Sequence, residues 1–356
     1  MKIVHVVETW VGGIASYVSA LMREQILLGN EVILLCDQEN IASPEDILGL
    51  RLINYRSSRN PIRIMKIASG IRNVLRTLDA DVIHCHSTFP GLYVRLHRYE
   101  RAKVIYTPHA WAFLKKDVSL VRKFVYGTIE RRLANRCTRI LCMSFDELRA
   151  ARRYGLPMSK IDFIYTGIAA DYQPPVPAGS LPSPSDSKIR VGYFGRLDYQ
   201  KGFDIVLDAI PDLKPNLEIH VYGMAVRGGV APSGGGESKI TYHGWLDPAS
   251  TKSAMREMDV VIVPSRWEGL ALVPIEAMRA GKVIVVSGES SLPEQVIHGY
   301  NGIILRDLSG RCLAENLNRL TEEECRRMGG NARHVFEQTF RIDRFLKSLM
   351  QTYENT

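Results

Sequence analysis

Glu268 and Glu276, separated by seven residues, are the acids of 265-SRWEGLALVPIEAM-278, a stretch that follows a strand-like run (259-DVVIVPS-265) and leads into a helix-like one. Pro274 suits the first turn of that helix. Glu276 then falls in the same turn, where the helix dipole favours a carboxylate for structural reasons alone. A capping box would want Ser or Thr three residues earlier, and Val273 is there instead. Glu268, in the loop, has no comparable explanation. Gly269, Leu270 and Ala271 would offer free N–H groups just ahead of the helix.

Cations stand at another strand end. In 195-GRLDYQKGFD-204, Arg196 and Lys201 lie on a glycine-bounded loop that leads into a helix starting near Phe203. An Arg clamps phosphate through a two-pronged fork and a Lys acts as a point charge. The competing reading is a solvated loop with a helix-flanking Lys. In 9-TWVGGIASY-17, Gly12 and Gly13 lie between the first strand and the first helix, where backbone N–H groups can accept an anion. The G-x-G-x-x-G spacing of a dinucleotide fingerprint is missing, and two such glycines are often only a tight turn. His109, in 106-YTPHAW-111, ends a strand beside Pro108 and Ala110; a lone His there is either structural or a ligand contact.

Two further patterns carry less. Asp79-Ala80-Asp81 matches D-x-D but precedes its strand and reads as a helix–strand turn. His84-Cys85-His86 looks like a metal cluster, yet alternation sends His84 and Cys85 to opposite faces. With no further ligand set at useful spacing, no metal site is expected.

The elements that must position these residues are short β-branched runs alternating with helical patterns, hence an α/β chain with parallel sheets. The first half offers strands at 2–7, 31–36, 81–86, 103–108 and 139–144, with helices at 14–28, 61–78 and 118–136. The second offers strands at 189–195, 217–223, 239–244, 259–265 and 282–287. Between them 173-QPPVPAGSLPSPSDSK-188, with five prolines, reads as a linker. The glycine-rich 224–238 reads as a mobile loop. At 356 residues two domains are expected: residues 1–172, the linker 173–188, a second domain 189–338 and a closing segment 339–356. Two doubly wound domains would place a cleft between their strand C-terminal ends, where open α/β sheets bind ligands.

Composition narrows the class further. The chain is 46% hydrophobic and 24% charged, and no apolar run approaches the roughly 18 residues of a membrane span. Met1-Lys2 enters the first strand directly, without the look of a signal peptide, and six scattered cysteines fit free thiols in a reducing cytoplasm. The net charge of +8 is lopsided: residues 1–180 hold 25 Lys+Arg against 16 Asp+Glu, and the remainder 21 against 22. From Arg56 to Lys160 the count is 22 against 7, and 111–136 mixes Trp, Phe, Val and Tyr with cations, as interfacial helices do. An anionic membrane surface fits; so does an ordinary solvated basic face. No recognised nucleic-acid motif accompanies the charge.

One ligand class satisfies all three strand ends. Cations and amides would hold a diphosphate, and the acids would hold hydroxyl-rich groups on either side of it. That ligand would be a nucleotide diphosphate sugar.

The ordered set Gly12-Gly13, His109, G-R-L-x-x-x-K-G at 195–202, E-x7-E at Glu268 and Glu276, and 293-PEQVIHGYNGIIL-305 resembles the retaining GT-B glycosyltransferases of family 4 over essentially the whole chain. The resemblance implies two Rossmann-like domains facing each other across a cleft. The second would mainly hold the donor and the first the acceptor. It also implies no required metal or cofactor, and a last helix that crosses back to the first domain. Carried over, Arg196 and Lys201 would contact the diphosphate, Glu276 the ribose and Glu268 the transferred sugar. The Gly13 backbone would approach the pyrophosphate, and His109 would lie near sugar and phosphate. Retention would come from front-face attack, with the leaving phosphate taking the acceptor's proton. Two departures stand out. The family's E-G-F-G is here Glu268-Gly269-Leu270-Ala271, and its N-G-x-D is 166-TGIA-169.

The expected activity is therefore transfer from a nucleotide sugar, uridine the commoner base, to a glycan acceptor on lipid. The setting would be surface polysaccharide synthesis (capsule, O-antigen or exopolysaccharide) at the inner face of a bacterial cell membrane. The rivals are a nucleotide-sugar epimerase on the same fold and a nucleic-acid-binding protein using the basic half. A glycosidase would leave Arg196 and Lys201 without a task.

Overall fold

A computed structural model describes residues 1–10, 12–40, 49–170, 188–225 and 239–355. The proline-rich stretch 173–188 lies outside the described residues except for Lys188, and so does 226–238 of the glycine-rich stretch. The chain forms two compact units: Met1–Ala169 with Ile342–Thr356, and Ala170–Arg341.

In the first unit the chain runs β1 (Lys2–Val7), α1 (Gly12–Leu27), β2 (Glu31–Asp37), β3 (Arg51–Tyr55), α2 (Pro61–Leu78) and β4 (Val82–His86). It continues through α3 (Thr88–Arg95), β5 (Lys103–Thr107), α4 (Leu120–Leu133), β6 (Arg139–Cys142), α5 (Phe145–Arg153) and β7 (Ile161–Phe163). All seven strands are parallel, in the order β3-β2-β1-β4-β5-β6-β7. Their inner members are buried on both faces, which is why they read as unbroken apolar runs. The edge strands β3 and β7 are short and half-exposed, and sequence pattern misses both.

The second unit has a six-stranded parallel sheet in the order β10-β9-β8-β11-β12-β13. Its elements are β8 (Ile189–Phe194), α6 (Phe203–Ala209), β9 (Leu217–Tyr222), β10 (Ile240–Gly244), α7 (Pro248–Glu257) and β11 (Val260–Val263). After them come α8 (Leu272–Arg279), β12 (Val283–Ser287), β13 (Gly302–Leu305), α9 (Gly310–Leu317) and α10 (Glu322–Thr339). Among the described residues no helix is long and apolar enough to cross a membrane.

The last helix, α11 (Ile342–Glu354), belongs to the first unit and packs on α1, burying Phe345, Leu346, Leu349 and Tyr353. The Nζ of Lys103 donates to the carbonyls of Tyr353 and Glu354, both at 2.9 Å, a cation on the free C-terminal carbonyls of that helix. The division into units thus falls between Arg341 and Ile342.

Helix α4 is anchored by its inner side. Gly127 lies against Tyr154, and Glu130 accepts an ion pair from buried Arg95 at 2.9 Å. The Arg95 guanidinium stacks 3.6 Å over the Tyr106 ring. Outward, α4 mixes exposed arginines (Arg122, Arg131, Arg132) with large apolar side chains: Leu120, Val121 and Phe124 are 81%, 74% and 71% exposed.

The Asp79-Ala80-Asp81 turn lies at the N-terminal side of β4. Asp79 caps α2 in the left-handed region, and Asp81 accepts from the Lys2 N–H at 2.7 Å.

Candidate functional site

Two loops of the second unit, each at the C-terminal end of a strand, are laced together. Residues 195–202 follow β8 and residues 264–271 follow β11, its neighbour in the sheet. Gly202 takes a positive φ of 70°, and a Cβ there would collide with the Pro264 carbonyl, so only glycine lets the loops close on each other. The Arg266 N–H donates to the Gln200 carbonyl at 2.8 Å, and the Gln200 side-chain amide donates to the Trp267 carbonyl at 3.2 Å. Arg266 also binds both carboxylate oxygens of Asp204, at 2.8 and 2.6 Å, while stacking on Tyr199.

On this lacing sit the charged groups. The Nζ of Lys201 lies 2.6 Å from Oε1 of Glu268, whose side chain is 9% exposed. Arg196 places Nε 3.1 Å from Asp198 and donates to the Gln200 side-chain oxygen at 2.8 Å. The structure therefore brings Arg196, Lys201 and Glu268 onto one loop pair. Beside them the N–H groups of Gly269, Leu270 and Ala271 have no acceptor among the described residues. The carbonyl of Ala271 is held by the Gln295 amide at 2.9 Å, from the 293-PEQ-295 segment.

Glu276 requires a correction. Helix α8 begins at Leu272 with Ala271 as its N-cap, so Glu276 is the fifth helical residue and lies beyond the first turn. The helix dipole, which acts within the first turn, does not account for it. Its carboxyl is half-buried and makes no hydrogen bond or ion pair among the described residues. Burial holds its pKa above the usual carboxylate range, against the opposing pull of Arg279 and Lys252.

Gly12, Gly13 and His109 belong to the first unit. Gly12 opens α1 at φ 66°, with open space where a Cβ would be, so its backbone is approachable. His109 follows β5 and occupies a strained turn: φ is 50° at His109 and 82° at Ala110, both non-glycine. Glu147, fully buried on α5, clamps that turn. Its two carboxylate oxygens accept from the N–H of Ala110 at 2.6 Å and of Met143 at 2.8 Å. The Glu147 carbonyl accepts from the Trp111 indole at 3.0 Å.

Behind His109 lies a group that pattern reading did not assemble. Alternation does separate His84 from Cys85, but it also puts His84 and His86 on one face. The β1–β4 register sets His5 opposite His84. One ring nitrogen from each of these three buried histidines lies within 4.8 Å of the others. All six of their ring nitrogens are hydrogen-bonded, so a metal ion would have to displace several of these bonds. Burial depresses His5 to about 4 and His109 to about 3, so these rings are neutral at physiological pH.

The chain matches the model of glycosyltransferase family 4 over residues 11–172 and that of glycosyl transferases group 1 over 181–335. It belongs to the family 4 glycosyltransferases. Its fold is GT-B, with two Rossmann-like domains. A 41.2 kDa protein of the cps region of Klebsiella pneumoniae is 28% identical over the full length of both chains. The structure of Anabaena HepE in complex with UDP and glucose superposes with a TM-score of 0.81 over all of both chains, at 18% identity. WaaG, a glycosyltransferase involved in lipopolysaccharide biosynthesis, gives 0.74 over 99% of both, at 14% identity. Among family 4 glycosyltransferases this chain carries Leu270-Ala271 after Glu268-Gly269. Ala271 is buried and serves as the N-cap of α8, and Leu270 is half-buried beside it.

Proposed function

We propose that the protein transfers a sugar from a UDP-sugar to a glycan acceptor carried on lipid, in the synthesis of a bacterial surface polysaccharide. Anomeric configuration would be retained, and no metal or other cofactor required. The observation that carries the donor reading is the loop pair. Two cations, together with three N–H groups and a half-buried carboxylate that have no partner among the described residues, line adjoining strand ends of one sheet. A diphosphate would draw Arg196 and Lys201 away from Asp198 and Glu268, because it bears more charge than either acid and accepts from the 269–271 amides as well. Those cations would then stabilise the charge that develops on the leaving oxygen. Glu268, released from Lys201, would accept from the transferred sugar, and Glu276 from the ribose. The relative in a cps region, and the UDP and lipopolysaccharide associations of HepE and WaaG, support this direction.

A panel of nucleotide sugars, assayed by release of the nucleoside diphosphate, tests it. Slow hydrolysis of one donor is expected. In Glu276→Ala the donor KM should rise about tenfold or more, since a hydrogen bond to a charged group contributes about 1.5–3 kcal/mol. Conversion of the donor to an epimer with no release would establish the epimerase reading instead.

The outer face of α4 supports the lipid-linked acceptor. Leu120, Val121, Phe124, Val125 and Ile129 are all exposed, among Arg122, Lys123, Arg131 and Arg132. An exposed apolar stripe flanked by cations suits the surface of an anionic bilayer. On this reading the protein would work at the inner face of the cell membrane. Flotation with vesicles containing anionic lipid is expected at low salt, and Val121→Asp with Phe124→Asp should abolish it while leaving donor hydrolysis intact. A wild-type protein that stays at the bottom of the gradient would remove the membrane from the proposal.

A further inference from the structure

We infer that Gln25, His5 and His86 are positioning residues that fix the proton of His109 on Nε2 and leave its Nδ1 bare as a hydrogen-bond acceptor. The argument starts at Gln25, fully buried on α1. Its amide oxygen lies 2.7 Å from His5 Nε2 and can only accept, so His5 carries its proton there. A neutral imidazole has one N–H, which leaves His5 Nδ1 bare. That nitrogen is 2.9 Å from His86 Nε2 and must accept from it. His86 is then bare at Nδ1, which accepts from His109 Nε2 at 3.1 Å. Three bonds in series leave no alternative at any ring once the amide is set.

The other end of the same amide agrees. The Gln25 NH2 donates to the Tyr353 hydroxyl at 3.5 Å, and that hydroxyl, 2.6 Å from His84 Nδ1, has its own proton to donate there. His84 then donates from Nε2 to the Thr107 hydroxyl at 2.8 Å. One buried amide thus sets a single sense in three histidines, His5, His86 and His109, drawn from β1, β4 and the turn after β5, and the bonds of His84 are compatible with it. Burial keeps the rings uncharged, as the chain requires. Turning the amide over would invert these three rings.

The consequence is chemical. His109 is half-buried, and its Nδ1 has no partner among the described residues. With the proton held on Nε2, that nitrogen cannot donate to a phosphate oxygen; it accepts from a ligand hydroxyl. Identification of that hydroxyl with one on a sugar rests on the donor reading above. The tautomer does not.

The test is the nitrogen chemical shifts of histidine rings in protein labelled with 15N at histidine, recorded without any nucleotide sugar. Protonated and bare ring nitrogens are well separated, and the His109 signals are those lost in His109→Gln. The expected result is a bare Nδ1 and a protonated Nε2 on His109 at neutral pH. Gln25→Met, which removes the acceptor, should convert His109 to a mixture of tautomers. Gln25→Glu, whose ionised carboxylate can only accept, should keep the original sense at a pH where it is ionised and serves where Gln25→Met does not fold. A His109 of the wild type protonated at Nδ1, or at both nitrogens, overturns the inference. So does an unchanged His109 in a folded Gln25→Met protein, or an inverted His109 in Gln25→Glu. If no nucleotide sugar is hydrolysed but the spectra are as expected, the donor reading fails and this one stands.

Discussion

Lys201→Ala is expected to lower donor turnover by about a hundred- to a thousand-fold, the effect of removing one preorganised group that meets developing charge. It should also destabilise the second domain. Glu268 is only 8% exposed, and Lys201 is its ion-pair partner at 2.6 Å. Losing one member of such a pair leaves a desolvated carboxylate without compensation, at a cost of up to about 3 kcal/mol. Two effects from one substitution must be separated. In Lys201→Met combined with Glu268→Gln no buried charge is stranded, so urea stability should return to within about 1 kcal/mol of wild type. Turnover should not return, because the cation that meets the phosphate is still missing. A Lys201→Ala protein that keeps turnover within threefold of wild type would remove Lys201 from the chemistry, and the diphosphate reading of this loop with it.

The pair also shows how far residue types can be read. Cations in one loop and acids in another, each after a strand, were legible because a parallel sheet puts strand C-termini on one edge. Their direct contact was not. It depends on Gly202 letting the 195–202 loop close on the Pro264 backbone, and on Gln200 and Arg266 stitching the two together. The position of Glu276 was misjudged for a local reason: Ala271 caps the helix, so its first turn is over one residue before the acid. The histidine chain was hidden for a different reason. His5 and His84 are neighbours only through the β1–β4 register, with α1, β2, β3 and α2 between them in sequence. A single His inside an apolar strand gives no periodic signal. Edge strands β3 and β7 escaped because neither is long or buried enough to show a pattern.

Glu147 stands in the first turn of α5, and the second large effect is expected there. It is fully buried, and its carboxylate is what the His109–Ala110 turn leans on. Two successive non-glycine residues at positive φ cost about 1–2 kcal/mol each, and persist only where the surroundings over-determine them. Glu147→Ala removes the acceptor of two backbone N–H groups, those of Ala110 and Met143, and leaves both without their partner. A loss of about 3–4 kcal/mol in urea unfolding is expected. With the clamp gone nothing offsets the strain of the turn, and the His109 ring is no longer held in its bond to His86. Donor turnover should therefore fall by more than the unfolded fraction explains. Glu147→Gln is not a neutral substitute, because its amide nitrogen would face one of the two N–H donors. A second substitution distinguishes strain from simple loss of a contact. Ala110→Gly accepts φ 82° without penalty and should restore about 1 kcal/mol when added to Glu147→Ala. If Glu147→Ala unfolds at the wild-type urea concentration, the carboxylate is not what holds the turn. If Ala110→Gly restores nothing, the positive φ stores no strain that Glu147 offsets.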